Sequence, residues 1–542
     1  MSTTLQAPRR VQSATALGSR VVTLTLAAVE GRRLLRNPLM AVGVALSVYL
    51  YVRGIAWGQM PVLPRDDVRI GYALLPLAAA TLLATNATAL RSRRHGTDEL
   101  YDTLPTTPVQ RTAAQLLSTA GPVGLAALLV AVDVVYLVLL GGIGTPNPFE
   151  LATGPVVVAL AGVLGVLLAR LAPWIGVAPV MLIGLAALWY FPYLSYHLRQ
   201  RVFTWHSFWA FPWFGTSGSE ADGANVLVGG WHLAYAGGLV ALMACLALAR
   251  HQVQVRLRTA VATVLALALT SSGAVAQARP LTAAQLIEEA QFASGAPGTQ
   301  VCETHGRVEY CAWPTHVAWI NRWRQPIDGV MRRLPAAVAR RGLRVRQMAL
   351  GASELCSNRS ACRQQVAVAF DRAIASSDVR TTSSWPRGSG VGGAELALAA
   401  AVGSWAVGLR TAPPRDEPPI CMPPDQARVI VALWLAGQST PGAAASLRRV
   451  VRVDEGAPAL RPRLTLGPAA GTTQWPGPEA AYAVALLDRP AEEVAAQLQR
   501  DWVRLTSPGT PTAELVAAFG LQPLSSLGEP LAACPDRPGG ER

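Results

Sequence analysis

The sequence predicts an all-α polytopic membrane protein with a large polar domain after its last span. Three observations predict it. Of 542 residues, 51% are hydrophobic and only 15% are charged; the mean hydropathy is positive, at +0.30. The apolar residues gather into runs near the length of a bilayer span before residue 277, and no later run reads as one.

A helix rises about 1.5 Å per residue, so about 20 apolar residues cross the hydrocarbon. Seven runs meet or approach that length: residues 38–52, 71–90, 119–140, 155–169, 173–194, 227–249 and 259–276. The first is short and extends past Arg53, whose long side chain can reach the interface. The fourth and fifth, parted only around Arg170, read as a helical hairpin.

The formal charge of +14 lies in clusters at the ends of these runs and forms no single stripe, which argues against nucleic-acid binding. All 47 basic residues are Arg. A phosphate-binding loop of the G-x-x-x-x-G-K-[ST] type needs its Lys, so a nucleotide-hydrolysing motor of that type is excluded. Any ATP chemistry requires a partner.

The Arg clusters set the orientation. Arg9, Arg10, Arg20, Arg32, Arg33 and Arg36 precede the first run; Arg91, Arg93, Arg94 and Arg111 follow the second; Arg250, Arg256 and Arg258 follow the sixth. With seven crossings these clusters fall on one side, and the base-free connection 141–154 falls on the other. The N-terminus is then cytoplasmic, and the region after the seventh crossing is extracytoplasmic.

Before the first span, VVTLTLAAVEGRRLLRNPLM (21–40) has apolar residues at helical spacing with Glu30, Arg32, Arg33 and Arg36 among them. Such a segment can lie in the headgroup layer, apolar side down, or be an ordinary basic flank. Pro38 begins a new direction. Between spans two and three, HGTDELYDTLPTTPVQRTAAQLLS (95–118) starts a brief helix at Thr97-Asp98-Glu99, since acids are favourable in a first turn. Leu100 and Leu104 then share one face, Pro105 and Pro108 end the helix, and Arg111 opens the next. The product is a short amphipathic helix offered to the cytoplasm.

E-x-R-R-L-L-R-N-P ahead of the first span, followed by E-L-Y-D-T-L-P-T-T-P-V-Q-R between spans two and three, resembles the permease subunits of type-2 ATP-binding-cassette (ABC) exporters, particularly large actinobacterial ones. The resemblance covers residues 20–250, about half the chain. It implies a six-helix ABC exporter permease core over 38–250, preceded by a cytoplasmic tail and interfacial elbow helix over 1–37. A seventh span over 251–277 and an extracytoplasmic, mainly helical, disulfide-containing domain over 278–542 exceed that pattern. By resemblance, Glu30, Arg32, Arg33 and Arg36 belong to the elbow helix, and Glu99, Leu100, Asp102, Leu104 and Pro105 to a coupling helix docked on a separate ABC ATPase subunit. The implied assembly is a homodimer or heterodimer of permeases in the lipid bilayer, without nucleic acid. The implied function is outward transport driven by the ATPase, with no cofactor, metal or catalytic residue in this chain. A membrane-anchored extracytoplasmic binding or structural protein is the alternative, with the spans as support.

Asp133, in LLVAVDVVYLVLL, is the sole acid well inside a predicted span. A carboxylate at that depth costs about 2.5–3.5 kcal/mol on insertion scales, so a partner is expected: an Arg or hydroxyl of a neighbouring span, or else a substrate or proton. Residues 189–214 hold 12 aromatics, as an interfacial belt or a gate for an amphipathic substrate.

Seven cysteines are present; Cys302, Cys311, Cys356, Cys362, Cys421 and Cys534 follow residue 277, and Cys245 lies in an apolar run. An even set in one polar region fits an oxidising compartment and possible disulfides, with buried free thiols as the alternative and connectivity open. Residues 274–278 resemble a signal-peptidase site after an apolar core, but an uncut anchor completes the topology. Helical patterns recur at 282–292, 316–341, 395–409, 424–451, 490–505 and 512–521. The apolar stretch 394–409 is short and carries Glu395, which favours a buried core helix over a span. No H-E-x-x-H, G-x-S-x-G or paired C-x-x-C cluster occurs. Glu303, His305 and His316 beside Cys302 and Cys311 suggest a disulfide with surface histidines before a metal site, and Trp313, Trp319 and Trp323 suggest packing.

Overall fold

The structure is a computed structural model describing residues 9–55, 59–97, 106–197, 226–249, 256–277, 298–348, 378–382, 384–409, 420–452, 463–466 and 473–523, with scattered positions between 284 and 296. Two compact units emerge: Met1–Trp57 with Pro61–Pro280, and Leu281–Arg542 with the short stretch Gly58–Met60.

The first unit is helical among the described residues: α1 Arg9–Leu35, α2 Pro38–Ile55, α3 Leu63–Ala73, α4 Leu75–Ala89, α5 Arg91–Arg94, α6 Pro108–Ser118, α7 Ala120–Leu139, α8 Pro148–Leu171, α9 Val177–His197, α10 Val226–Ala249 and α11 Arg256–Gln277. Every predicted apolar run falls largely on helix, the run 173–194 entering it at Val177. Among the described residues, four helices are long and apolar enough to cross a bilayer: Pro108–Leu139, Pro148–Leu171, Gly229–Ala249 and Leu257–Gln277. The bent pair Arg20–Leu35 and Pro38–Arg53 raises the count to five, while Leu75–Ala89 and Val177–Ala187 are shorter apolar helices. The second predicted run is divided because Pro76 lacks the N–H that would bond the Tyr72 carbonyl, and the chain turns at Leu74 between α3 and α4.

α8 is the centre of this unit. Asn147 caps it by accepting from the Phe149 amide (3.0 Å), and Pro148 fits the first turn, where no N–H is needed. Its glycines admit α4 closely: Gly165 has no room for a Cβ against Thr85, and a Cβ on Gly154 would stand 2.6 Å from Leu74. Such small-residue contacts let backbones approach where lipid gives helices no hydrophobic reason to associate. The Asn86 side chain then donates to the Gly165 carbonyl at 3.1 Å. α10 and α11 meet likewise, Gly238 against Thr270 and Gly273 against Tyr235. The outward faces of α7 and α11 stay apolar and exposed, with Leu128, Val132, Val135, Val261, Val264 and Leu265 among them.

The second unit is mostly helical among its described residues, and it adds two small sheets that the sequence reading did not predict. β1 Val301–His305, β2 Val308–Ala312, β3 Leu343–Gln347 and β4 Val379–Thr381 form a sheet in that order, with an antiparallel β1–β2 hairpin followed by parallel pairs. β5 Ile420–Cys421, β7 Thr473–Pro476 and β6 Arg463–Leu466 form the second. The helices are α12 Ile320–Met331, α13 Ala336–Ala339, α14 Val391–Ala406, α15 Ala427–Gly437, α16 Pro441–Arg452, α17 Gly477–Leu487, α18 Ala491–Arg500, α19 Trp502–Leu505 and α20 Thr512–Ala518. The predicted helix 316–341 is a 3₁₀ turn and two helices, and 424–451 is two helices broken at Thr440; the pattern 282–292 falls largely outside the described residues.

α14 and α15 are buried almost throughout and cross where Gly403 brings the Ala432 backbone close. The apolar stretch after residue 394 is therefore core. Asp425, at φ 52°, turns the chain into α15; its amide donates to Glu479 (2.6 Å), and its carboxylate accepts from the Thr512 amide (3.0 Å). Three helix starts are thus tied at one carboxylate pair. Within this unit the Met60 amide also donates to the Trp385 carbonyl at 2.6 Å.

Among the described residues a disulfide joins Cys302 to Cys311, directly opposed in the β1–β2 hairpin. Cys356, Cys362 and Cys534 lie outside the described residues, Cys421 lies on β5, and Cys245 is a free thiol. The bridge closes a loop of separation 9, for which chain entropy gives about 2–3 kcal/mol. Cys302→Ser with Cys311→Ser is expected to lower the second unit's unfolding free energy by about that amount, read by denaturant unfolding beside the reduced native chain.

Candidate functional site

Two polar centres stand in the first unit. At the first, α1 ends at Leu35, and the axis bends by 60° before α2, with the Asn37 side chain accepting the Leu39 amide at 3.0 Å. Glu30 is buried, 7% exposed, and its Oε1 receives Arg33 at 3.3 Å and Arg91 at 3.0 Å. Arg32 and Arg36, four apart on one face, are exposed. The four predicted elbow residues therefore divide: Glu30 is buried, while Arg32, Arg33 and Arg36 are exposed, Arg33 reaching Glu30 from the surface.

α1 packs along α6, where a Cβ on Gly31 would stand 3.4 Å from the Ser118 carbonyl oxygen. α6 begins with a capping box: Thr107 accepts from the Gln110 amide (3.2 Å), and the Gln110 side chain accepts from the Thr107 amide (2.8 Å). Pro108 accordingly starts this helix, correcting the expectation that it ends the preceding one. Farther along α6, Gln115 receives Arg170 from the end of α8 at 2.7 Å. Glu99, Leu100, Asp102, Leu104 and Pro105 lie outside the described residues; Arg91–Arg94 and Pro108–Ser118, which flank them, belong to this centre.

The second centre is at the opposite ends of α4 and α8. Asp66, Asp67 and Glu150 are 2%, 0% and 5% exposed. Asp66 accepts the Val62 amide (3.0 Å) and pairs with Arg69 (3.2 Å); Asp67 Oδ2 accepts the Asn147 amide (2.6 Å). Asp67 Oδ1 is sealed from solvent without a hydrogen bond among the described residues. Gly229 leaves room for the Glu150 carboxylate, since a Cβ there would stand 3.0 Å from Oε1. None of these acids stood out in the sequence. The available signal was Asp66-Asp67 at the head of an apolar run and Glu150 within the first turn of another.

Burial pushes the Asp67 carboxyl up to about 7, against the lowering effect of the Asn147 amide. An unfolded Asp titrates near 3.9, so the folded chain holds more protons between about pH 4 and 7, and stability falls as pH rises through that window. Asp67→Asn is expected to shift the melting-temperature difference in the variant's favour from pH 4.5 to pH 8. A difference independent of pH would contradict this.

Asp133 is half-buried on α7, and a hydroxyl does reach it: Tyr51 of α2 donates at 3.0 Å, but to the Asp133 backbone carbonyl. This bond reaches the Asp133 main chain and not its carboxylate. Of the aromatic segment 189–214, the backbone is described only as far as His197. In the second unit, Glu303 pairs with His305 at 3.1 Å on β1, whereas His316 is buried between Trp313 and Trp319 at ring distances of 5.5 and 5.0 Å. These residues do not converge on one site. Cys302, Glu309 and Cys311 do cluster, but the two sulfurs are bonded to each other and offer no thiolate.

Comparison with protein-family models, curated proteins and solved structures gives no match to this chain.

Proposed function

We propose that this chain is the transmembrane permease subunit of an ABC-type exporter, coupling ATP hydrolysis by a separate ATPase subunit to outward movement of a substrate. The observation that carries the reading is buried Glu30, which ties the kinked helix α1 to Arg91 at the start of the connection holding residues 98–105. A displacement of that connection reaches α1 through Arg91, and reaches the membrane through Pro108–Leu139, which runs from α6 into α7. This gives the rigid-body path that alternating access requires. The lysine-free sequence assigns hydrolysis to a partner. In this reading residues 38–250 supply six spans that pair with a second permease copy or homologue, residues 251–277 add a seventh, and residues 278–542 are extracytoplasmic.

Affinity purification of the chain after expression beside its candidate ATPase tests this, with ATP turnover in lipid nanodiscs as the second readout. Recovery of a stoichiometric ATPase with permease-dependent turnover is expected. The separate core of the second unit favours one other reading, a membrane-anchored extracytoplasmic binding protein. Purification of a stable chain without an ATPase would support that reading instead.

A further inference from the structure

On the β1–β2 hairpin, Cys302, Glu309 and Cys311 bring three metal-ligating atoms within 4.8 Å of one another. The register puts them there. Cys302 and Cys311 are directly opposed, with Cα atoms 4.1 Å apart, the closer of the two kinds of antiparallel pair. Side chains alternate along a strand, so Glu309, two before Cys311, shares its face. Glu303 and His305 take the other face, where His305 meets the Tyr310 ring at 5.9 Å, and they stay outside the set. Glu309 is itself held in place: Arg344, its register partner on β3, donates to Oε2 at 2.5 Å. A carboxylate has two oxygens, and an outer partner on one of them is the support that metal-binding carboxylates ordinarily have.

While the two sulfurs are bonded to each other they offer no thiolate, so bond and metal exclude each other. We propose that the reduced hairpin is a site for a zinc-type divalent cation, held by the Cys302 and Cys311 thiolates and the Glu309 carboxylate, and that the disulfide is its closed state. A dithiol reductant opens it. The dithiol gives two electrons and two protons to the Cys302–Cys311 bond, leaves as its own cyclic disulfide and yields two thiols; the cation then binds as both thiols lose their protons. Two thiolates on one tetrahedral zinc stand about 3.8 Å apart, from Zn–S bonds of about 2.3 Å, which is within the ordinary spacing of opposed side chains. β2 is also bonded to β3 from Val308 to Cys311, so the strand that carries two of the ligands does not depend on the disulfide for its place. The donors select the ion. Sulfur favours zinc-type ions over calcium and magnesium, and three protein ligands leave one position open. Cys302 is exposed, which gives the ion a path of entry.

This assignment does not depend on the exporter reading, and its failure leaves that reading untouched. The test reduces the full chain in phosphatidylcholine nanodiscs with a phosphine, removes the phosphine, and follows iodoacetamide alkylation of Cys302 by peptide mass spectrometry at increasing zinc. Saturating zinc is expected to abolish alkylation of Cys302, calcium to leave it unchanged, and the unreduced chain to resist alkylation throughout. Glu309→Gln should need about tenfold more zinc for half protection, or about 1.4 kcal/mol, and Glu303→Gln, on the opposite face, should match the parent. Alkylation of Cys302 at a rate independent of zinc in the reduced parent overturns the proposal, and that result needs no variant to fold. Protection unchanged by Glu309→Gln also overturns it, since the pair would then bind as any free dithiol does.

Discussion

Leu104→Asp, and separately Glu99→Arg, is expected to cut permease-dependent ATP turnover by at least about tenfold while leaving the chain folded in the membrane. The connection 98–105 is short, carries three acids, and lies in the chain between α5 and α6. A Leu buried in a partner groove contributes about 1.5–3 kcal/mol. A carboxylate placed there loses that and adds an unpaired charge, and each 1.4 kcal/mol is a factor of about ten in affinity. Glu30→Gln is the companion measurement: it keeps the docking surface and weakens the link to Arg91, so the ATPase should still bind while turnover responds less to the permease. If Leu104→Asp leaves ATPase recovery and turnover unchanged, the coupling assignment fails.

Trp434→Ala should produce the largest loss of stability. The indole is fully buried on α15, in the core of the second unit, and the Arg333 guanidinium lies over its ring at 5.9 Å from the centroid. Phe or Trp to Ala in a packed core costs about 3–5 kcal/mol, and the stacked cation adds about 0.5–1 kcal/mol at a partly exposed site. A domain is stabilised by only about 5–15 kcal/mol, so the variant unit should be open to proteolysis under conditions where the parent resists. The two units are separately compact, so ATPase recovery should survive the change. A shift below 1 kcal/mol in denaturant unfolding would show that the site collapses around the lost ring. Loss of ATPase binding together with the second unit would tie the proposed coupling to that unit.

The helices of the first unit were legible because each is announced locally. Pro38 and Pro148 mark helix starts, Asn147 and Thr107 are capping residues, and the runs between them are too apolar for any alternative to a buried or lipid-facing helix. Pro108 was misplaced because a proline after Pro105 reads equally as a stop or as a first-turn residue; the capping box decides between them. The strands of the second unit were readable only in part. VCETHGRVEYCA has a glycine where the chain reverses, at φ 65°, between segments rich in β-formers. β3 and β4, by contrast, are five and three residues long and pair in parallel across long connections, which leaves no local turn signal.

Of the polar centres, the sequence reached the one built on clustered charge. Glu30, Arg32, Arg33 and Arg36 belong to the elbow by resemblance, but Arg91, 61 positions from Glu30, becomes its partner only when α1 and α5 are brought together. Asp67 and Glu150 escaped because each reads as an acid at a helix start, where acids are ordinary. Their burial appears only when helices distant in sequence pack around them.

The sequence by itself determined a membrane-spanning half, a polar half and the absence of a lysine-dependent phosphate loop, because hydropathy and residue identity act without knowledge of neighbours. Only the tertiary structure decided which acids are buried, which Arg pairs with Glu30, and that Cys302 faces Cys311 across a hairpin. Desolvation and pairing depend on distance in space, and chain order does not encode that distance until the helices and sheets have packed.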